Sequence, residues 1–237
     1  MNQVLLDVRN VKTYYGKSQI LFGVDIQIRA GEFVTLMGRN GMGKTTLVRS
    51  ILGLTRPRSG SVVMEGQELS GLPVSYVARR GIALVPEVRK VFPNLTVKEH
   101  FIIAERSVRS GAVEWNLGRV LDLFPSLASR LGNLGSQLSG GEQQMLAIGT
   151  ALISNPKLII LDEATEGLAP LLRDEIWRCL DILKRAGQSV LIIDKNVDAL
   201  SRLSDRHLIL EKGNIVWSGT SADLQINSDI HDRYLSI

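Results

Sequence analysis

One cysteine, Cys179, is the whole thiol inventory of this chain. A lone thiol excludes an internal disulfide and any metal site built on clustered cysteines. Cys179 falls in a helical-looking run, Arg173 to Lys184, and reads as a buried structural thiol. No apolar run approaches the about 20 residues that a membrane-spanning helix needs. The start, Met1-Asn-Gln-Val-Leu-Leu-Asp-Val, lacks the charged opening and apolar stretch of a signal peptide, so a cytosolic protein is expected. No Lys/Arg run is dense enough for an interaction tail, and there is no internal repeat or low-complexity linker. The net charge of +4 over 237 residues is a small excess. It reads as solvated surface, and no nucleic-acid partner is expected. At 44% hydrophobic residues the chain can bury a large core, as one domain or as a core with a subdomain.

What is present is decided by one segment, Gly38-Arg39-Asn40-Gly41-Met42-Gly43-Lys44-Thr45-Thr46. It fits the phosphate-binding pattern G-x-x-x-x-G-K-[ST]. Phe33-Val-Thr-Leu-Met37 before it is apolar and β-prone, and Leu47-Val-Arg-Ser-Ile-Leu52 after it has apolar residues at helical spacing. A chance match in a glycine-rich turn would lack this strand–loop–helix context. Glycines let backbone N–H groups face a triphosphate with no Cβ in the way, and the helix N-terminus adds partial positive charge. Lys44 would reach the β- and γ-phosphates, and the Thr45 hydroxyl would sit on Mg²⁺.

The remaining pattern alternates strands and helices. Residues 1–30 read as two or three short strands with a turn at Tyr15-Gly-Lys-Ser18. Ser61–Glu65 and Gly81–Val85 read as strands, the second stopped by Pro86. From about Val97 to Leu134 helical periodicity takes over, as in Leu117, Val120, Leu121 and Phe124. A helix is expected over Glu142–Leu152, a buried strand over Leu158–Leu161, a helix over Asp174–Arg185 and a strand over Ser189–Ile193. His207–Glu211 and Asn214–Ser218 read as a hairpin around Lys212-Gly213, followed by a short helix after Ser221. The order implies an α/β core with a parallel sheet and a helical insertion over residues 88–135.

Two further segments carry chemistry. Leu158-Ile-Ile-Leu-Asp162-Glu163 delivers two carboxylates at the end of a buried strand, where ligands bind in open α/β sheets. Asp162 would hold the Mg²⁺ shell, and Glu163 would polarise the water that attacks the γ-phosphate. Leu138-Ser139-Gly140-Gly141-Glu142 opens a helix and reads as a second anion-binding nest. A helix N-cap by Ser139 explains the serine but not the two glycines. One nucleotide rarely needs two nests from one subunit, so this one is expected to close on a nucleotide held by a partner subunit.

With these motifs in this order, the whole chain resembles the ATP-binding cassette subunits of ABC transporters. It is most similar to those of branched-chain amino acid importers, through Gly38–Thr46, Val85-Pro-Glu-Val-Arg-Lys-Val-Phe92, Leu138–Ala147 and Glu166-Gly-Leu-Ala-Pro170. Urea and short-amide importer subunits carry similar motifs. The resemblance implies one P-loop ATPase domain over 1–237, with an N-terminal antiparallel β-subdomain and the inserted helical subdomain. It implies ATP and Mg²⁺ as ligands, and Tyr15 as the aromatic that stacks on adenine, with Tyr14 its neighbour in sequence. It places Glu87 where most members carry a glutamine that senses Mg²⁺ and water. Residues from Glu87 to His100, with Phe92 exposed, are expected to meet a membrane permease, although Phe92 could equally pack within the subdomain. A second cassette, head to tail, and indirectly a solute-binding protein complete the implied partners, at the cytoplasmic side of the plasma membrane.

Three departures stand out. Ala164 replaces a proline, and Gly167-Leu168-Ala169 replaces the usual Ala-Leu-Asp of the dimer-contact loop. Lys195, in Asp194-Lys195-Asn196, occupies the position of a γ-phosphate-sensing histidine. Lysine donates to phosphate but takes no proton at neutral pH. Three rivals are a soluble ABC ATPase of translation or DNA maintenance, a P-loop kinase, and a regulatory cassette that binds ATP but barely hydrolyses it. The first generally has two cassettes or a coiled-coil insertion, and the second leaves Leu138–Glu142 unexplained.

Overall fold

The computed structural model describes residues 3–87, 91–105 and 115–226, together with Ile230 and Tyr234. The chain opens with β1 (Val4–Tyr15) and β2 (Ser18–Arg29), a hairpin turning at Gly16-Lys17. These are two twelve-residue strands rather than two or three short ones. The apparent break is a bulge. Val8 pairs with Ile26 and Val11 with Val24, so β1 carries one extra residue there. Asn10 takes the left-handed conformation (φ 47°), and its N–H donates to Asp25 Oδ1 at 2.8 Å.

β3 (Phe33–Met37) leads into α1 (Lys44–Ile51). β4 (Ser59–Met64), β5 (Gln67–Glu68), α2 (Val74–Arg79) and β6 (Ile82–Val85) follow. Then come α3 (Val97–Ala104), α4 (Leu117–Leu123), α5 (Pro125–Ala128) and α6 (Gly140–Ile153). The second half alternates β7 (Leu158–Asp162), α7 (Pro170–Arg185), β8 (Ser189–Ile193) and α8 (Val197–Leu203). The hairpin β9 (Arg206–Glu211) and β10 (Asn214–Gly219), then α9 (Ser221–Ile226), complete the order.

Two sheets result. An antiparallel sheet has the order β2-β1-β4-β5, and a larger sheet the order β10-β9-β3-β8-β7-β6. In the larger sheet every pairing is parallel except β10 with β9. The central strands β3, β7 and β8 are buried at every residue, which is why they read as unbroken apolar runs. Their period of two sorts side chains onto two faces. Phe33, Met37, Ile159, Leu161, Val190 and Ile192 join one core, with Phe101, Val120, Met145 and Leu180 from the helices. Val34, Leu36, Leu158, Ile160, Leu191 and Ile193 join the other, with β1, β2 and α1.

The helices begin earlier than sequence suggests. α7 starts at Pro170, where a missing N–H costs nothing at a helix N-terminus. α6 starts at Gly140, with Ser139 as N-cap and a capping box to Glu142. Packing accounts for two glycines of α6. A Cβ on Gly141 would lie 2.1 Å from Leu172 Cδ1, and one on Gly149 would lie 2.8 Å from Val120 Cγ1 and 3.0 Å from Phe101 Cε1. Gly149 thus lets α3 and α4 close onto α6. The expected helical insertion and C-terminal helix extend over residues 88–90, 106–114 and 227–229, which lie outside the described residues. Among the described residues, no helix is long and apolar enough to cross a membrane.

Gly149→Ala is expected to destabilise the fold by about 1–3 kcal/mol through overpacking, read as a lower Tm. Cys179 is buried and its thiol is pushed up to about 12 by burial. It should resist alkylation in the native protein and react once the chain is unfolded.

Candidate functional site

The phosphate-loop expectation rests on backbone geometry, and that geometry is present. Gly38, Gly41 and Gly43 all have positive φ (142°, 79° and 108°). At Gly38 the requirement is also spatial, since a Cβ would lie 2.3 Å from the Leu210 carbonyl oxygen. The β9–β10 turn braces the loop further. Gly213 N donates to Met42 O at 3.0 Å, and Lys212 N to Met42 Sδ at 3.4 Å. Met42 therefore anchors the loop to the neighbouring hairpin. The Lys44 ammonium donates to Gly38 O at 2.7 Å and Arg39 O at 3.1 Å, spanning the loop it belongs to. Burial lowers its pKa, with the carboxylates of Glu163, Asp162 and Glu166 opposing.

The loop floors a cavity of about 400 Å³. Asn40, Gly41, Gly43, Lys44, Thr45 and Thr46 line it, opposite Glu87, Glu163 and Lys195. These groups come from four strand ends, those of β3, β6, β7 and β8. Asp162 sits behind them, buried at the end of β7, where Thr45 hydrogen-bonds its side chain. Its pKa is raised, first by burial and then by the charge of Glu87.

Glu163 holds a left-handed conformation, φ 52°, that a non-glycine residue rarely adopts. Its N–H donates to Ile193 O at 2.7 Å, and its carbonyl accepts from Glu166 N at 3.2 Å. Strain of this kind persists where the surroundings fix it, and it clusters at working sites. Burial, then a hydrogen bond with Glu166, pushes the Glu163 carboxyl up to about 7. Lys195 Nζ lies 3.6 Å from Glu163 Oε2 and 2.7 Å from Glu166 Oε1.

Other expected residues stand apart from this cavity lining. Tyr15 is 46% exposed at the end of β1, and its phenol is hydrogen-bonded by Thr55 and Thr46, which places it beside the phosphate loop. Tyr14 turns away, with its hydroxyl donating to Gln19 Oε1 and Arg58 over its ring. Ser139, Gly140, Gly141 and Glu142 are not among the cavity residues. Two lining residues were not singled out for the site by sequence, Ile20 on β2 and Glu166. Only the hairpin crossing brings Ile20 near the loop; Glu166 follows three residues after Glu163, a spacing that could have flagged it. Phe92 is 58% exposed beside a second, more apolar groove of about 350 Å³, lined by Leu84, Pro86, Phe92, His100 and Ile103 among others. Val88, Arg89 and Lys90, within the expected docking segment, lie outside the described residues.

Comparison with known proteins gives the family. The family described as ABC transporter matches residues 21–166. The high-affinity branched-chain amino acid transport ATP-binding protein BraG of Pseudomonas aeruginosa is 43% identical, over 98% of this chain and 99% of its own. A probable branched-chain amino acid transport ATP-binding protein, LivF of Archaeoglobus fulgidus, is 36% identical over 89% of both chains. The lipopolysaccharide export system ATP-binding protein LptB of Haemophilus influenzae is 31% identical over 98% of this chain and 97% of its own. A solved ATP-binding subunit of an ABC transporter superposes with a TM-score of 0.83 at 30% identity, covering 95% of this chain and 94% of that one. The chain belongs to the ABC transporter family and is an ATP-binding, ATP-hydrolysing subunit of it.

The raised Glu163 pKa makes a stability prediction. The folded chain holds a proton that the unfolded chain releases between about 4.5 and about 7, so this carboxylate costs stability as pH rises through that window. Glu163→Gln should therefore raise Tm at pH 8, and the advantage should shrink on lowering the pH to 5. A Tm difference independent of pH would contradict the assignment.

Proposed function

We propose that this ABC ATPase subunit powers uptake of a small polar solute, with branched-chain amino acids the first candidate and urea or short amides the second. The observation that carries the ATPase mechanism is the convergence of Lys44, Thr45, Glu87, Glu163 and Lys195 from four strand ends onto one cavity, with Asp162 buried behind them. The similarity to BraG over nearly the full length of both proteins supports the solute class. Similarity to an export protein at 31% identity makes uptake the finer part of the proposal.

In this reading Gly38–Thr46 cradle the phosphates of ATP with backbone N–H groups, and Lys44 turns from its two carbonyls to the β- and γ-phosphates. Tyr15 offers an exposed ring beside Thr46, placed to stack on adenine. Four carboxylates (Glu87, Asp162, Glu163, Glu166) face two ammonium groups (Lys44, Lys195), a donor set that fits a hard divalent cation with oxygen ligands. Thr45, Asp162 and Glu87 would hold Mg²⁺, which when bound offsets charge on the β- and γ-phosphate oxygens. Glu163 takes the proton of the attacking water, and a pKa of about 7 suits a base operating near neutrality. Lys195 supplies positive charge to the terminal phosphate as the bond breaks.

Ser139–Glu142 lie off this cavity and serve the nucleotide of a second cassette, arranged head to tail. Membrane permease subunits dock near Glu87–His100. There the apolar groove and the exposed Phe92, Ile102 and Ile103 suit an inserted helix. The chain is thus peripheral, at the cytoplasmic face of the plasma membrane, and a solute-binding protein acts through the permease. One observation favours a second reading, a cassette that binds ATP and turns it over slowly. Lys195 is engaged by Glu166 and Glu163 rather than free to face a phosphate.

Glu163→Gln should lower ATP turnover by about 100-fold or more while the Kd for ATP stays within about threefold. Unchanged turnover would refute the role of Glu163. Wild-type turnover as low as the variant's, with normal ATP affinity, would favour the slow-cassette reading.

A further inference from the structure

The loops after β7 and β8 are stitched together at three points. Glu163 N donates to Ile193 O at 2.7 Å. Thr165 Oγ1 donates to Asp194 Oδ2 at 2.5 Å. Lys195 Nζ donates to Glu166 Oε1 at 2.7 Å. The first two fix the loops themselves. Asp194 is fully engaged, since its other carboxylate oxygen accepts from Asn196 N at 3.0 Å. The third stitch is different, because it joins two half-exposed side chains, Lys195 at 54% and Glu166 at 46%. What it does is set where the Lys195 ammonium rests, inside the cavity lining and 3.6 Å from Glu163 Oε2.

Exposed ion pairs of this kind are weak and exchange readily. Lysine is a compact charge on a flexible four-carbon stem, so its head can move without the backbone. A terminal phosphate carries more charge than a carboxylate and would compete for it. We propose that Glu166 is a positioning residue that parks the Lys195 ammonium at the cavity beside Glu163 and yields it to the terminal phosphate of a bound nucleoside triphosphate. This rests on the reading of Lys195 as a phosphate contact. Glu166 then competes with the third phosphate and tunes how strongly the subunit prefers a triphosphate over a diphosphate. A diphosphate has no group to claim the ammonium. A residue that only braced the loop would alter both affinities alike.

The test is the ratio of affinities for the β,γ-imido analogue of ATP and for ADP, with Mg²⁺, in the full chain. It compares the wild type, Glu166→Gln, Lys195→Met and the double variant. Glu166→Gln should raise the preference for the triphosphate about two- to fivefold, and Glu166→Asp, which keeps the charge on a shorter arm, by less. In the Lys195→Met background Glu166→Gln should leave the ratio within about 1.5-fold. An equal shift in both backgrounds would reduce Glu166 to a background charge and overturn the proposal. Equal changes for both nucleotides would make it a structural brace, with the same consequence. If Lys195→Met alone keeps the wild-type ratio, Lys195 is no phosphate contact. That failure belongs to the underlying reading and takes the proposal with it.

Discussion

The site depends on the register of one parallel ladder. β3, β8, β7 and β6 lie side by side, and their pairings keep Thr35 level with Ile192, Leu161 with Ile192, and Val85 with Leu161. Each strand therefore ends at the same edge of the sheet. The phosphate loop leaves β3 there, Glu87 follows β6, Asp162 and Glu163 close β7, and Lys195 follows β8. Because successive side chains on a strand point to opposite faces, a slip of one residue in β7 would exchange the directions of its buried side chains. Total burial of these strands makes such a slip costly, so the core that looks purely structural is what aims the carboxylates.

The edge so formed is an electrostatic arrangement rather than a collection of contacts. Burial raises Asp162 and Glu163 and lowers Lys44, each towards its neutral form. Two ammonium groups hold four carboxylates in check. Glu163 pays an additional conformational cost at φ 52°, sustained by the backbone bond to Ile193. In the proposed function an incoming cation offsets this excess of carboxylates, and a polyphosphate gives the buried Lys44 ammonium a partner. The β9–β10 hairpin holds the phosphate loop in place, through the close approach of Leu210 at Gly38 and the bond from Gly213 to Met42.

Much of this was legible in the sequence, for physical reasons that differ by residue. β3 and β8 have the bounds their apolar runs suggested, because a strand buried on both faces leaves an unbroken signal. The residues gathered at the cavity from strand ends were legible because chemistry there follows directly on the run. The length of β1 was not, because the bulge at Asn10 breaks the period of two without ending the strand. Gly140 and Gly141 of α6 were read as an anion nest, and Gly149 was given no role. Gly141 has a separate reason in Leu172, and Gly149 in Phe101 and Val120, neighbours too far along the chain for any local pattern to reveal. Glu166 lies three residues after Glu163, a spacing visible in the sequence, but its partner is a lysine 29 residues away that no local pattern reveals.

In the proposed function this cavity drives a membrane permease. The most direct measurement traps the subunit with Glu163→Gln and Mg·ATP in its native membranes, purifies it and identifies its companions by mass spectrometry. Integral membrane subunits and a second cassette are the expected companions. Recovery with ribosomal or DNA-bound proteins, and no membrane protein, would contradict it.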